Sequence, residues 1–213
     1  MLLRPLDVIL SSQSKVRLLR ALLPLQDGVS AREAARLARI PFPPALRALA
    51  DLTALGVLHR AKLRSQHLYT VEHANPLVRD GLLPLFDVER QRVSAVFAWL
   101  REALHGEIAA GVVRSLLLYG SAARGEDRPE SDLDLLVVTA NDDAVAEVHA
   151  RVARLAPELE RRYALDLAPL VLSHARLQEQ LAADDAVMAA AIREGRLIAG
   201  EPLDELLSAI VGG

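Results

Sequence analysis

The sequence predicts an α/β protein with a separate, mainly helical N-terminal part. Within the first 74 residues, three helical patterns precede two short β-prone runs, and after residue 110 strand-like runs alternate with helical patterns. The charge changes sign as well: residues 1–74 hold 11 Lys and Arg against 5 Asp and Glu, and residues 75–213 hold 14 against 23. We therefore expect an N-terminal domain over 1–74, a connecting helical segment over 75–110 and a second domain over 111–213.

The composition excludes several classes of site. Hydrophobic residues make up 52% of the chain and aromatic residues 3%, so the core is expected to consist of Leu, Val and Ala. The absence of cysteine excludes disulfides, thiolate metal sites and Cys nucleophiles. Arg, Pro and Asp interrupt the first residues too often for a signal peptide, and no apolar run approaches the length of a membrane span. We expect a cytoplasmic protein.

Three helices are predicted in the basic N-terminal part. The apolar spacing from Val16 to Leu23 is typical of a helical face. Ser30 stands three residues before Glu33, a capping box that predicts the start of a second helix. A third helix, ALRALADLTAL, is expected to end at Gly56, which is a favourable C-terminal cap.

Two β-prone runs, VLHR and HLYTV, follow the third helix and predict a hairpin. This order of elements resembles the winged helix-turn-helix of ArsR- and MarR-like regulators over about residues 5–74. The resemblance implies that the third helix lies in the DNA major groove and that the hairpin is the wing. It implies DNA contacts from a set of basic residues that would mostly neutralise phosphates: Arg32, Arg36, Arg39, Arg47, Lys62 and Arg64. Such modules also bind proteins, which is the alternative.

The connecting segment is predicted to be helical. Residues 88–108 have amphipathic spacing and include the single Trp, Trp99. In winged-helix regulators a helix at this place often pairs with its copy in a dimer. Packing on its own chain explains the pattern equally well, so a homodimer stays open.

The acidic part reads as alternating strands and helices. Strands are predicted over 112–120, 132–139 and 164–172, and one long helix over 142–164. Pro169 places its part of the third strand at an edge or a strand end. Ser173 is expected to cap another helix, and GRLIAGEPLDELLSAI closes the chain with a strand-like piece and a helix.

Two carboxylates begin the second of these strands. Because side chains at i and i+2 of a strand share a face, Asp132 and Asp134 project together while Leu133 points the other way. Two carboxylates this close repel each other, and burial increases the cost. A divalent cation removes the conflict, and Mg²⁺ prefers oxygen ligands while accepting phosphate oxygens in its octahedron. The pair therefore indicates a phosphoryl or nucleotidyl transfer site with Mg²⁺ or Mn²⁺.

A Gly-Ser pair supplies the phosphate-binding half of the predicted site. Gly120 lets the backbone approach a phosphate, Ser121 adds a hydroxyl, and the following residues can begin a short helix. Arg124 is placed to neutralise phosphate charge. The chain contains no P-loop motif, and its six His residues have no metal-binding spacing.

Gly-Ser, ten residues and then Asp-Leu-Asp resemble the signature of DNA polymerase β-like nucleotidyltransferases, in particular their minimal branch. The resemblance covers about residues 95–210. It implies a mixed sheet with flanking helices and a third metal-binding carboxylate, for which Asp166 is the matching candidate. A surface residue at a strand edge is the alternative for Asp166.

The resemblance also implies two-metal transfer of a nucleoside monophosphate, with AMP from ATP expected, to a hydroxyl. Proteins of this kind include antitoxins that adenylylate a HEPN-type toxin, and others that modify RNA ends or small molecules. Two alternatives stay open: a DNA-binding regulator that senses nucleotide through this fold, and a binding module in a toxin–antitoxin complex.

Overall fold

The computed structural model describes residues 3–63, 66–126, 128, 130–183 and 186–208. The chain divides into two compact units, Met1–Arg92 and Val93–Gly213, and the division falls within one long helix, α5 (Leu83–Ala103). No helix in the described part of the chain has the length and apolarity to cross a membrane.

The first unit consists of helices and one small antiparallel sheet. Its elements before α5 are α1 (Leu6–Ile9), α2 (Gln13–Leu22), β1 (Val29–Ser30), α3 (Ala31–Leu37), α4 (Phe42–Ala54), β2 (Leu58–Leu63), β3 (Gln66–Val71) and a π-helical turn (Leu77–Leu82). The sheet order is β1-β3-β2. Leu18, Leu19, Leu49 and Leu52 are fully buried and join α2 to α4 in one core. The predicted hairpin is present as β2 and β3, and the three predicted helices correspond to α2, α3 and α4, which the short helix α1 precedes.

Local sequence signals explain where these helices begin and end. The Ser30 hydroxyl accepts a hydrogen bond from the Glu33 amide at 3.2 Å, which confirms the predicted cap. The Glu33 carboxylate does not complete the box, because it accepts two hydrogen bonds from Arg36 instead. Gly56 has a left-handed φ of 69° just after α4 ends, as the predicted cap requires. The two-residue strand β1 was not predicted, because its pairing with β3 is a tertiary contact.

The second unit is a four-stranded mixed sheet with helices on both faces. After α5, its elements are α6 (His105–Ala109), β4 (Val113–Leu118), α7 (Gly120–Arg124), β5 (Leu133–Thr139), α8 (Val145–Ala153), α9 (Ala156–Tyr163), β6 (Leu167–Ser173), α10 (His174–Ala182), α11 (Ala186–Glu194), β7 (Arg196–Gly200) and α12 (Leu203–Ser208). The sheet order is β6-β5-β4-β7, and only the β5–β6 pair is parallel. Pro169 lies in the edge strand β6, as predicted.

Two apolar cores cover the two faces of this sheet. Alternate residues of β5 divide between them: Leu135 and Val137 join one core, and Leu136 and Val138 join the other. We call the first of these faces the α8 face, since Val148 and Val152 of α8 pack there, and the second the α10 face, since Leu177 of α10 packs there.

The prediction of one long helix over 142–164 was wrong. The structure has α8 and α9 instead, separated at Arg154 and Leu155. Pro157 explains the break, because proline has no amide hydrogen and its ring clashes with the carbonyl four residues earlier in a continuous helix. In the first turn of a new helix the same residue is well tolerated.

Candidate active site

The alternation of β5 places Asp134 at the beginning of the α10 face. Leu133 and Leu135, its neighbours along the strand, are buried in the α8-face core. Asp134 itself is half-buried, and Asp132, one residue before the strand, is exposed. The predicted separation of the Leu133 side chain from the two carboxylates is therefore consistent with the way the strand packs.

Gly120 lies directly against the Asp134 carboxyl group. The residue follows β4 and begins α7 with a left-handed φ of 71°. A Cβ built on Gly120 would lie 2.9 Å from the Asp134 Cγ atom and closer still to its Oδ2. Only glycine fits here, because any side chain would both strain the backbone and collide with the carboxylate. The Gly-Ser turn and the Asp-x-Asp strand, distant in the motif, thus form one site.

The surroundings of Asp134 disfavour its charged form. Burial raises the pKa of this carboxyl group, and the negative charge of Asp132 raises it further, while Arg124 acts in the opposite direction. Burial also raises the pKa of the neighbouring Tyr119 hydroxyl, with a second contribution from Asp134. The negative charge of Asp134 is thus half-buried, and the positive charge of Arg124 compensates only part of the cost of placing it there.

The register of the parallel pair brings Asp166 to the same end of the sheet. Leu133 pairs with Leu167, so Asp132 and Asp166 stand side by side just before the two strands begin. The Leu133 amide donates a hydrogen bond to the Asp166 carbonyl oxygen at 2.7 Å, which fixes this alignment. Along β6, Leu170 packs in the α10-face core. Asp166 precedes Leu170 by four residues, an even number, so the alternation of the strand assigns it to the same face of the sheet. Asp166 is exposed.

Within the described ranges, no group of three or more His, Asp or Glu side chains is arranged to hold a metal ion. The metal set Asp132, Asp134 and Asp166 therefore stays a prediction, as does the catalytic role of Asp166. Ser121 is the second residue of α7 and is half-buried. Its assignment to nucleotide binding also stays a prediction.

Arg124 has carboxylate partners that the sequence did not reveal. Its Nε donates to Glu126 at 2.8 Å, and its Nη1 donates to Glu194 of α11 at 3.2 Å. Glu126 lies in the ten-residue spacer between Gly120-Ser121 and Asp132. Its position two residues after Arg124 is a signal in the sequence for an ion pair between them. Glu194 is 70 residues away in the chain, and only the packing of α11 beside α7 brings it near.

The family comparison agrees with this geometry. Residues 108–201 match the model of a family described as polymerase beta, nucleotidyltransferase. The matched residues contain every element from β4 to β7. This segment is a polymerase β-like nucleotidyltransferase domain. The match covers less than half of the chain, and no curated protein sequence matches the chain.

The nucleotidyltransferase domain also has distant similarity to solved structures. One is described as a toxin-antitoxin with AMP-PNP, with 20% identity, a TM-score of 0.34, and coverage of 54% of this chain and 82% of the other. A second is a mutant of the toxin-antitoxin MntA-HpeT, with 19% identity, a TM-score of 0.34, and coverage of 54% of this chain and 82% of the other. A third, another MntA-HpeT mutant, has 20% identity, a TM-score of 0.33, and coverage of 54% of this chain and 80% of the other. The sequence-family match, rather than these similarities, identifies the domain.

The basic residues predicted to contact DNA lie on several elements of the first unit. Arg47 is exposed on α4 and Lys62 is exposed on β2. Arg36 is also exposed, but its guanidinium forms a double hydrogen bond with Glu33. Arg64 lies outside the described residues. The winged-helix assignment of this unit and its DNA contacts stay predictions.

A groove of about 330 Å³ lies beside Arg47 in the same unit. Its polar lining includes Lys15, whose side chain is 8% exposed and whose ammonium lies 2.8 Å from the Asp51 carboxylate. The Lys15 ammonium also donates to the Val8 carbonyl oxygen and the Ser11 hydroxyl. These contacts satisfy the buried charge, so Lys15 and Asp51 tie α2 to α4.

Proposed function

We propose that the nucleotidyltransferase domain transfers a nucleoside monophosphate, with AMP from ATP expected, to a hydroxyl group. One observation carries the proposal: Asp134 is half-buried beside Asp132 and packed against the Gly120 backbone, at the point where a nucleotide phosphate would enter. The family match supports the class of reaction.

The chemistry of the carboxylate pair Asp132 and Asp134 suits a divalent metal ion. Mg²⁺ and Mn²⁺ bind carboxylate oxygens, and the mutual repulsion of Asp132 and Asp134 is what a cation relieves. Asp132 and Asp134 would hold the metal, and Asp166 would join them from the neighbouring strand. When bound, the metal supplies charge neutralisation of the triphosphate and acidification of the attacking hydroxyl.

The side chains of the domain account for the remaining parts of the reaction. A bond forms between the acceptor oxygen and the α-phosphorus, the bond to the β-phosphate oxygen breaks, and pyrophosphate leaves. Gly120 leaves space for the phosphates, and Ser121 and Arg124 donate hydrogen bonds to them. Asp166, exposed at the mouth of the sheet, accepts the proton that the hydroxyl loses.

The test is transfer of label from ATP labelled at the α-phosphate, with Mg²⁺ and cell extract as the source of acceptors. We expect labelled product with the unaltered protein and a loss of at least about 100-fold in Asp132→Asn and Asp134→Asn. Asp143→Asn, at an exposed carboxylate outside the site, is the matched control and is expected to retain activity. Full activity in the Asp134 variant would contradict the proposal.

We further propose that the first unit binds DNA. The observation in favour is that Arg47 and Lys62 are exposed and form no ion pair among the residues that the structure describes, in a segment with an excess of positive charge. The two units together would then make a DNA-associated nucleotidyltransferase. A HEPN-type toxin protein is one acceptor to test, and a regulator that only senses nucleotide would bind ATP without transferring label.

A further inference from the structure

The guanidinium of Arg124 is held between carboxylates from two different segments. Glu126, in the loop after α7, accepts from Nε at 2.8 Å, and Glu194, at the end of α11, accepts from Nη1 at 3.2 Å. Arg124 also lowers the pKa of Asp134, which places its charge within electrostatic range of the catalytic carboxylates. The one cation assigned to the triphosphate is therefore already paired before nucleotide arrives.

The packing of α11 fixes the position of Glu194. Met188 and Ala191, on the same helix, are buried in the α10-face core. Gly195 follows immediately, and a Cβ there would lie 3.3 Å from the Ala191 carbonyl carbon and closer still to its oxygen. The same Cβ would lie 3.4 Å from Cδ2 of Leu117 in β4, so the end of the helix lies close against the sheet. Glu194 is held at a set place beside α7, where it also accepts hydrogen bonds from Arg193.

We propose that Glu194 is a positioning residue that competes with the nucleotide triphosphate for Arg124. Nucleotide binding exchanges the Arg124–Glu194 ion pair for an Arg124–phosphate pair and thereby releases α7 from α11. The inference rests on the proposed nucleotidyl transfer function, since it assigns a triphosphate to the same site.

The exchange is energetically easy. The Arg124 and Glu194 side chains are 40% and 29% exposed, and an ion pair in contact with water contributes little because the solvent screens its charges. A triphosphate offers several anionic oxygens, and guanidinium groups bind phosphates through two parallel hydrogen bonds. Loss of the pair with Glu194 is therefore a modest opposing contribution to nucleotide binding.

The experiment measures the dissociation constant of a fluorescent ATP analogue, mant-ATP, with Mg²⁺ at low salt. We expect Glu194→Gln to bind the analogue about two- to fivefold more tightly than the unaltered protein, with the difference shrinking at high salt. A merely structural role of Glu194 predicts the opposite sign, because damage to the site weakens binding. Arg193→Gln removes the other hydrogen-bond partner of Glu194 and is expected to leave the affinity for mant-ATP no higher than that of the unaltered protein.

A double-mutant cycle shows whether the gain acts through Arg124. In an Arg124→Ala background, Glu194→Gln should give no further tightening. Equal tightening in both backgrounds would reduce the effect to general removal of negative charge and would overturn the proposal. So would unchanged or weaker binding by Glu194→Gln while the unaltered protein binds. Failure of the unaltered protein to bind mant-ATP at all would instead refute the proposed function, and this inference with it.

Discussion

Asp134 is the side chain on which the proposed chemistry depends, and its charged form is destabilised in the folded protein. Its pKa is raised by burial and by Asp132, so the charged form is disfavoured in the folded protein relative to the unfolded chain. Active sites commonly contain such destabilised groups, and their replacement often stabilises the protein.

Replacement of Asp134 by Asn is therefore expected to stabilise the metal-free protein at neutral pH. We expect the unfolding midpoint to rise on the order of 1–3 °C. The folded pKa lies above the unfolded value, so the penalty is fully present above the folded pKa and fades as the pH falls through it. Thermal unfolding of both proteins at pH 7 and near pH 4 measures this, and a difference that grows toward acid would contradict it.

Gly120 offers a sharper test of the contact between the two halves of the motif. Gly120→Ala should cost about 2–4 kcal/mol and displace Asp134, because it combines left-handed strain with a collision against the carboxylate. Gly125→Ala is the matched control: φ is 69° there too, but apart from its chain neighbours no described residue has an atom within 4 Å of the added Cβ. We expect it to cost about 1 kcal/mol and to retain nucleotide binding.

Denaturant unfolding and mant-ATP titration of the two glycine variants provide the comparison. Equal losses of stability and of nucleotide binding in both would mean that backbone strain alone matters at Gly120. That outcome would remove the steric argument for the Gly120–Asp134 contact.

Ser173 caps a helix of the nucleotidyltransferase domain, as its position in the sequence predicts. Ser173 is fully buried at the end of β6, and its hydroxyl accepts from the Arg176 amide at the start of α10. The same hydroxyl donates to Asp142, which precedes α8. One side chain thus links the edge strand to two helices.

Ser173→Ala should destabilise the domain by about 1–3 kcal/mol, since it removes a cap and a hydrogen bond to a charged group. Ser12→Ala is the matched comparison, because the Ser12 hydroxyl caps α2 and has no second partner among the residues that the structure describes; it should cost about 1 kcal/mol. Denaturant unfolding measures both. A smaller loss at Ser173 than at Ser12 would contradict the linking role.

Local signals in the sequence account for most elements, and tertiary contacts account for the remainder. Strands β4, β5, β6 and β7 follow from runs of Leu, Val and Ile, and the Ser30 and Ser173 caps follow from residue type. The strand β1 and the Arg124–Glu194 pair depend on packing between distant segments, which local patterns do not encode. The division between α8 and α9 also has a local signal in the sequence, Pro157.

The whole molecule joins a basic unit to an acidic catalytic one. Among the described residues, Arg47 and Lys62 have no ion-pair partner, whereas Arg36 is paired with Glu33. If the first unit binds DNA, neutralisation of the DNA phosphates by free cations should make the affinity fall steeply with salt. The pairing of Arg36 predicts a smaller contribution from that residue.

DNA affinity measured across salt concentrations tests this on the full chain. Arg47→Ala and Lys62→Ala should each weaken binding and reduce the salt dependence by about one phosphate contact, and Arg36→Ala should have less effect. No binding at low salt, or an Arg36 effect larger than that of Arg47, would count against the proposed surface.

The reaction proposed for this domain moves a nucleoside monophosphate to a hydroxyl and releases pyrophosphate. The most direct measurement follows two labels in parallel, with ATP carrying the label at the α- or at the γ-phosphate, in the presence of Mg²⁺ and cell extract. We predict that only the α-label enters an acceptor and that the γ-label appears in pyrophosphate, both abolished by Asp132→Asn with Asp134→Asn. Transfer of the γ-label to an acceptor, or transfer of the α-label that persists in the double variant, would contradict the account.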